Sequence, residues 1–287
     1  MFSTLLGALP PDPDQATSTS GERIRSSLVD LEATGLDLLA DGEPLDLTRS
    51  WNPATVVSAW ESAAAATAVP VKQVLPGPYS AARQGNRSAA AWADELRPTI
   101  AALADAGCSF VEVDEFDALA INVVASERRR FVDAHRRLTD GIGVHLSLAL
   151  TSGNFDAAGP ATFFDLPYAS YAFDLIAGPD NWRLIAAAPS DRGIVCGALS
   201  ARPGGDQTRE LLVWAAHYAA STSGRGLARV GLANASSMIG LSRPDALARL
   251  RVVAESARVA AIESPEDLSD VIDPRAVGRS RAARLRG

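Results

Sequence analysis

Gly107-Cys108-Ser109-Phe110-Val111-Glu112-Val113-Asp114-Glu115-Phe116-Asp117 is the stretch on which the reading of this chain turns. Before it, Ala89 to Ala106 is rich in Ala and Leu, a helical composition, and it stops at Gly107, a residue suited to a helix C-terminus. Phe110 to Val113 then reads as a strand that runs directly into carboxylates. In a parallel α/β sheet, ligands collect at the carboxyl ends of the strands. Asp114 and Glu115 therefore stand where such a fold places its chemistry. Acidic residues also open ordinary solvent loops, and one strand alone does not separate the two readings.

The same alternation of short apolar runs and longer helical patterns extends to both sides. Upstream, Phe2 to Leu6 reads as a strand, Glu22 to Thr34 as a helix, Leu36 to Ala40 as a strand ending in Asp41-Gly42-Glu43, Pro53 to Thr67 as a helix, and Val71 to Leu75 as a strand. Downstream, strands are expected at Gly143 to Leu148, Ala169 to Leu175, Gly193 to Leu199 and Val230 to Ala233. Helices are expected over Glu127 to Thr139, Asn181 to Ala187, Thr208 to Thr222 and from Ser242-Arg243-Pro244 to about Ala260. Eight strand–helix units are the number in a (β/α)8 TIM barrel, and such barrels take about 250 residues. The expectation is an α/β fold with one barrel over 1–262. Residues 263–287 would form an extension with a short acidic helix near Pro265 to Ile272 and an arginine-rich end.

Composition narrows the function classes. The net charge of −7 argues against non-specific nucleic-acid binding, which draws on a basic surface. No apolar run reaches the roughly 18–20 residues that span a bilayer. The N-terminus has no basic region of the secretory type, so a cytoplasmic location is expected. Cys108 and Cys196 do not form a disulfide framework. Lys72 is the only lysine among 27 basic residues, which reads as a bias of composition. Neither a Gly-x-Gly-x-x-Gly after a strand nor a P-loop is found.

A barrel gathers its strand ends into one mouth. The candidates there are Glu43, Asp114, Glu115, His145, Asp174, Cys196 and Ser236/Ser237. Acids with one histidine suit three tasks: binding the ammonium group of an amino acid, holding a metal, or general acid–base work. His145 alternates with Val144 and Leu146, which places it either in the barrel lumen or against the helices. His135 and His217 belong to helical patterns and carry no such signal.

In order along the chain, several segments resemble the C-terminal catalytic barrel of the cobalamin-independent methionine synthases. Ser3-Thr4-Leu5-Leu6-Gly7-Ala8-Leu9-Pro10 is similar to the family's Thr-x-Ile-Gly-Ser-Phe-Pro opening, and Asp41-Gly42-Glu43 to its His-Gly-Glu. Leu75-Pro76-Gly77-Pro78-Tyr79 resembles Thr-Gly-Pro-Val-Thr, and Val111-Glu112-Val113-Asp114-Glu115 resembles Ile-x-Ile-Asp-Glu-Pro. The resemblance implies a barrel of the methionine synthase/uroporphyrinogen decarboxylase type. It implies methyl transfer from a methylfolate to a thiol amino acid such as homocysteine, in methionine biosynthesis. Glu43, Asp114 and Asp174 would bind the substrate, with His145 and Glu115 as catalytic residues.

Departures from the family pattern concern its zinc ion, which His, Cys, Glu and Cys hold. The family's His-x-Cys is set against His145-Leu146-Ser147, its glutamate against Asp174, and its last cysteine against Asn234-Ala235-Ser236-Ser237. Both thiolates are absent from these positions, and serine supplies neither the softness nor the charge zinc requires. Ala8 stands where the family has a serine. A zinc site is therefore not expected. Two readings follow: a methyltransferase-like enzyme without the thiolate zinc site, or a non-catalytic barrel that binds a small molecule or a partner. Amino acid and folate are the expected small-molecule partners, with a partner protein or a second copy of the chain as the macromolecular one.

Overall fold

The computed structural model describes residues 1–15, 17–205 and 208–262. The expected acidic helix and basic end over 263–287 lie outside the described residues. In chain order the elements are β1 (Phe2–Thr4), α1 (Ser20–Glu32), α2 (Pro53–Ala64), β2 (Gln73–Pro76), α3 (Pro78–Gln84), α4 (Ala89–Asp105), β3 (Phe110–Glu115), α5 (Ala125–Thr139), β4 (His145–Leu150), α6 (Ala161–Phe164), β5 (Ser170–Asp174), α7 (Trp182–Ala187), β6 (Gly193–Leu199), α8 (Arg209–Ser221), β7 (Val230–Asn234) and α9 (Arg243–Ala260). Among the described residues the strands form one seven-stranded, wholly parallel sheet in the order β1-β7-β6-β5-β4-β3-β2.

Local chemistry explains the element that precedes β3. Ser88 caps α4 by accepting the Ala91 N–H, and Trp92, Leu96, Ile100 and Leu103 form its buried stripe. At the other end Cys108 N–H donates to the Leu103 carbonyl and Gly107 N–H to that of Ala104, a Schellman closure. Gly107 takes φ +95°, which a side chain disfavours, so glycine is needed there for conformation alone. The chain then enters β3 between β2 and β4.

The strand expected at Leu36 to Ala40 is the clearest difference from the sequence reading. It contributes only two isolated bridges, Thr4 with Leu38 and Leu39 with Val71. Asp37 accepts from both the Ser3 N–H and the Ser3 hydroxyl, and the chain turns at Gly42 with φ +74°. Little length remains for a ladder. These bridges nonetheless set the segment between β1 and the approach to β2.

Strand alternation builds two apolar regions. Val111, Val113, Leu148, Tyr171, Phe173 and Ile194 face the helices and join the main core. Leu6, Ala149, Ala172, Val195 and Ala233 form a separate small cluster with Phe2 on the other face, inside the curl of the sheet. Small residues on that face leave space for polar groups among them. Among the described residues, no helix is long and apolar enough to cross a membrane.

Candidate functional site

A cavity of about 290 Å³ opens at the carboxyl ends of β1, β2, β3 and β7, the end of a parallel sheet where ligands bind. Its carboxylates are Asp41, Glu43 and Asp114, and Ala8, Leu45, Val74, Phe116 and Ile239 supply apolar wall. Gly7 and Ser237 complete the side nearest β1 and β7.

Asp114 ends the inward face of β3 and is only 5% exposed. Burial, reinforced by the negative charges of Glu112 and Glu115, pushes its carboxyl up to about 7; the Thr151 hydroxyl and Lys72 act in the opposite sense. The Thr151 hydroxyl is 3.4 Å from Asp114 Oδ1. Asp41 is pushed up to about 6, again by burial first, with the Arg49 guanidinium opposing. Glu43 is held from behind: Arg23 reaches its Oε2 through Nε at 3.3 Å and Nη2 at 3.2 Å. The cavity thus presents three acids in three different electrostatic settings.

Glu115 does not line this cavity. As the next residue on β3 it points to the other face, where its two oxygens accept from Tyr79 N–H (3.0 Å), Ser80 N–H (2.7 Å) and the Ser80 hydroxyl (2.5 Å). It therefore caps the start of α3 with a charge, which the helix dipole favours. Gly77 makes this possible, since a Cβ there would lie 2.2 Å from Glu115 Cδ. His135 of α5 sets its Nε2 at 2.9 Å from Glu115 Oε1 and its Nδ1 at 2.6 Å from the Tyr168 hydroxyl. The helical histidine without a sequence signal is thus a fully buried strut. Only tertiary packing reveals it.

His145 also lies elsewhere. It opens β4 instead of ending it, pairing in register with Phe110 at the start of β3. Its ring stacks on Phe110 with centroids 4.4 Å apart, and Nε2 is 2.8 Å from the Ser170 hydroxyl. Burial pushes its pKa down. The lumen alternative for His145 holds, at the end of the sheet opposite the cavity. The mouth end of β4 is Ala149-Leu150-Thr151, so His145-Leu146-Ser147, set against the family's His-x-Cys, begins at the end of the strand away from the cavity.

Asp174 does end β5, but its oxygens are taken by backbone. Oδ1 accepts from Ile176 and Ala177 N–H at 2.8 Å each, and Oδ2 from Ser152 N–H at 3.3 Å. It ties the loops after β4 and β5 together. Asn234, at the end of β7, accepts the Leu6 N–H and donates to the Leu6 carbonyl, bridging β7 to the chain after β1. Ser237 reaches the cavity and Ser236 is not among its lining residues.

The donors at the mouth do not fit a thiolate zinc site. Thr151, Asp174 and Ser237 stand at the ends of β4, β5 and beyond β7, two hydroxyls and an occupied carboxylate. Cys196 faces α8, its Sγ 3.7 Å from the Ala215 carbonyl, and burial pushes the thiol up to about 12. Cys108 is buried at the start of the β3 approach, near the Phe110 carbonyl. Among the described residues no group of three or more His, Cys, Asp or Glu is arranged to hold a metal ion.

Two cavity or near-cavity groups escaped the sequence reading. Asp41 was visible as part of Asp41-Gly42-Glu43 but carried no role of its own. Lys72, read as composition, is fully buried and ion-paired to Glu112 at 2.6 Å inside the curl of the sheet. Its status as the only lysine was the available signal.

No protein-family model and no curated protein sequence matches the chain. Solved structures do. A B12-independent methionine synthase from Shewanella sp. W3-18-1, in complex with selenomethionine, superposes with a TM-score of 0.70 at 14% identity, covering 90% of this chain and 96% of that one. A putative vitamin-B12-independent methionine synthase from Listeria monocytogenes gives 0.70 at 14% identity, covering 92% and 98%. A methyltransferase from Methanosarcina mazei gives 0.61 at 12%, covering 90% and 94%. At these identities the likeness establishes a shared fold. The architecture is the α/β barrel-like fold of the methionine synthase type.

Proposed function

We propose that the mouth cavity binds the ammonium group of a small amino acid, and that the chain is a methyl-transfer barrel acting on a thiol amino acid such as homocysteine without a thiolate zinc site. One observation carries the reading. Glu43 and Asp114, the acids matched to the family's amino-group ligands, line the same cavity together with Asp41.

The chemistry of the walls supports it. An ammonium group brought among carboxylates makes charge-assisted hydrogen bonds, each contributing about 1.5–3 kcal/mol. It also favours the ionised form of Asp114, whose proton is otherwise retained by burial. Val74, Phe116 and Ile239 offer apolar contact to the methylenes of the side chain. A volume of about 290 Å³ is at the lower edge of the roughly 300–1,000 Å³ range of drug-sized ligand sites, which suits an amino acid. In the transfer itself the sulfur forms a bond to the donor's methyl carbon as the donor nitrogen–carbon bond breaks. The thiol proton passes to a cavity carboxylate, for which Asp41 is suited, and the donor nitrogen takes up a proton. Methylfolate is the donor class that the resemblance implies, and here it is a substrate.

A second reading, a non-catalytic amino-acid-binding barrel, is favoured by the two cysteines, both buried away from the mouth. Calorimetry with homocysteine, methionine and S-methyl analogues, followed by an assay for methionine formed from homocysteine and a methylfolate, separates the readings. Binding abolished by Asp114→Asn, together with methionine formation, supports the enzyme. Binding without turnover supports the second reading. No binding by any of these amino acids at millimolar concentration rejects both.

A further inference from the structure

Beneath the cavity, the inside of the sheet holds an ion pair that the site's chemistry leaves unexplained. Lys72 Nζ donates to Glu112 Oε2 at 2.6 Å and to the Leu5 carbonyl at 2.7 Å. The two side chains are 0% and 1% exposed. A buried pair of this kind is seldom a gain in stability, because desolvation offsets the Coulomb attraction. Well-packed apolar residues would serve the core as well. Glu112 also keeps one oxygen, Oε1, without a hydrogen-bond partner, and so does the buried Ser147 hydroxyl, its register neighbour on β4. The pair is not a closed structural unit.

Strand geometry gives it a neighbour. Residues alternate across a strand, so Glu112 and Asp114 share the inward face of β3. Lys72 shares the inward face of its own segment with Val74, which lines the cavity and pairs in register with Glu112. From the mouth inward, the sequence of groups is therefore Asp114, then Glu112, then Lys72. We infer that Lys72 and Glu112 are positioning residues of the mouth site, whose balance of charge decides whether Asp114 presents a carboxylate or a carboxylic acid to the ligand. This rests on the reading of the mouth as an ammonium site, and it adds the device that regulates it.

The charges around Asp114 can be named element by element. Glu112 and Glu115 come from its own strand, and Lys72 from the approach to β2. Asp41 and Glu43 face the same cavity from the segment after Leu39, with Arg49 beside Asp41 and Arg23 on Glu43. Among the described residues, the ends of β4 and β1 and the chain beyond β7 bring uncharged Thr151, Ala8 and Ser237. Among these groups of the described residues, Lys72 is the cation inside the curl, and Glu112 masks it. Glu112 stands between Lys72 and Asp114 on the inward face, so its charge is the nearer of the two acting on Asp114.

Opposite substitutions must then act oppositely. Glu112→Gln removes the repulsion and unmasks the ammonium, so Asp114 ionises at lower pH. Lys72→Met leaves two carboxyl groups without a counter-charge, so Asp114 ionises at higher pH. The readout is the carboxyl ¹³C titration of Asp114 in the full chain labelled with ¹³C-aspartate, its resonance identified by its loss in Asp114→Asn. Shifts of about one pH unit or more in opposite directions, tenfold each in proton affinity, are expected. A purely structural ion pair would lower the melting temperature of both variants and leave the midpoint unmoved, which overturns the inference. Should the single variants fail to fold, Lys72→Met/Glu112→Gln removes both charges and should move the midpoint down; an unchanged midpoint overturns the inference equally. The titration needs no ligand. If Asp114 responds as stated while no amino acid binds, the ammonium reading fails and the coupling stands.

Discussion

Asp114 and Glu115 are adjacent on β3 and face opposite sides of the sheet: the first lines the mouth cavity, while the second accepts the Tyr79 and Ser80 N–H groups at the start of α3. The pair divides the work of the strand end between ligand and scaffold. Substitutions at the two positions should therefore fail in different ways.

Asp114→Asn should abolish or weaken amino-acid binding by at least about tenfold, as expected for loss of a charged hydrogen bond. The same variant should gain stability at high pH. The folded-state pKa of Asp114 lies above its ordinary 3.8, at about 7, so the folded chain retains a proton that the unfolded chain releases. This contribution is present below pH 3.8 and is lost as pH rises toward 7. Denaturant melts should show the variant about 1–4 kcal/mol more stable relative to wild type at pH 8 than at pH 4. An equal difference at both pH values would show that Asp114 is not held neutral by burial.

Glu115→Ala should leave three donors of the α3 start and the His135 ring facing an empty acceptor position. A loss of about 3–5 kcal/mol is expected, measured by urea unfolding. Wild-type stability in this variant would mean that the α3 contacts are replaceable by water.

Gly77→Ala tests the same join from the other side. The backbone angle at Gly77 is ordinary, φ −64°, so the obstacle is space: the new Cβ would lie 2.2 Å from Glu115 Cδ. Displacing the carboxylate should cost about 1–3 kcal/mol. Combined with Glu115→Ala, the two losses should be clearly less than additive, because the clash disappears with the carboxylate.

His145→Ala should leave amino-acid affinity at the mouth within about twofold, since the residue sits at the opposite end of β4. Stability should fall by about 1 kcal/mol through the lost Phe110 stacking and the Ser170 hydrogen bond. Loss of binding without loss of stability would return His145 to the list of ligand-contacting residues.

Much of the fold was legible because its signals are local. Gly107 after an Ala-rich helix, Ser242-Arg243-Pro244 before another, and the apolar runs between them fixed nearly every element near its observed bounds. The short α3 was not expected, because its start is held by Glu115, more than thirty residues away in sequence. The Leu36 to Ala40 segment departs from a full strand for the same reason: its apolar run is real, but Asp37 is drawn into bonds with Ser3.

The sequence by itself determined the parallel α/β rhythm and the placement of Asp114 at the end of a strand. Alternation is a property of the strand and is visible in one dimension. Tertiary structure alone decided which end a residue occupies and which face of the strand meets solvent, helix or lumen. Val144 to Leu150 alternates throughout, so its faces are plain while its ends are not; pairing with β3 put His145 at the start. The same holds for Lys72. A single lysine in a sequence is a count, and it becomes an electrostatic element only where the curled sheet buries it against Glu112, out of reach of water.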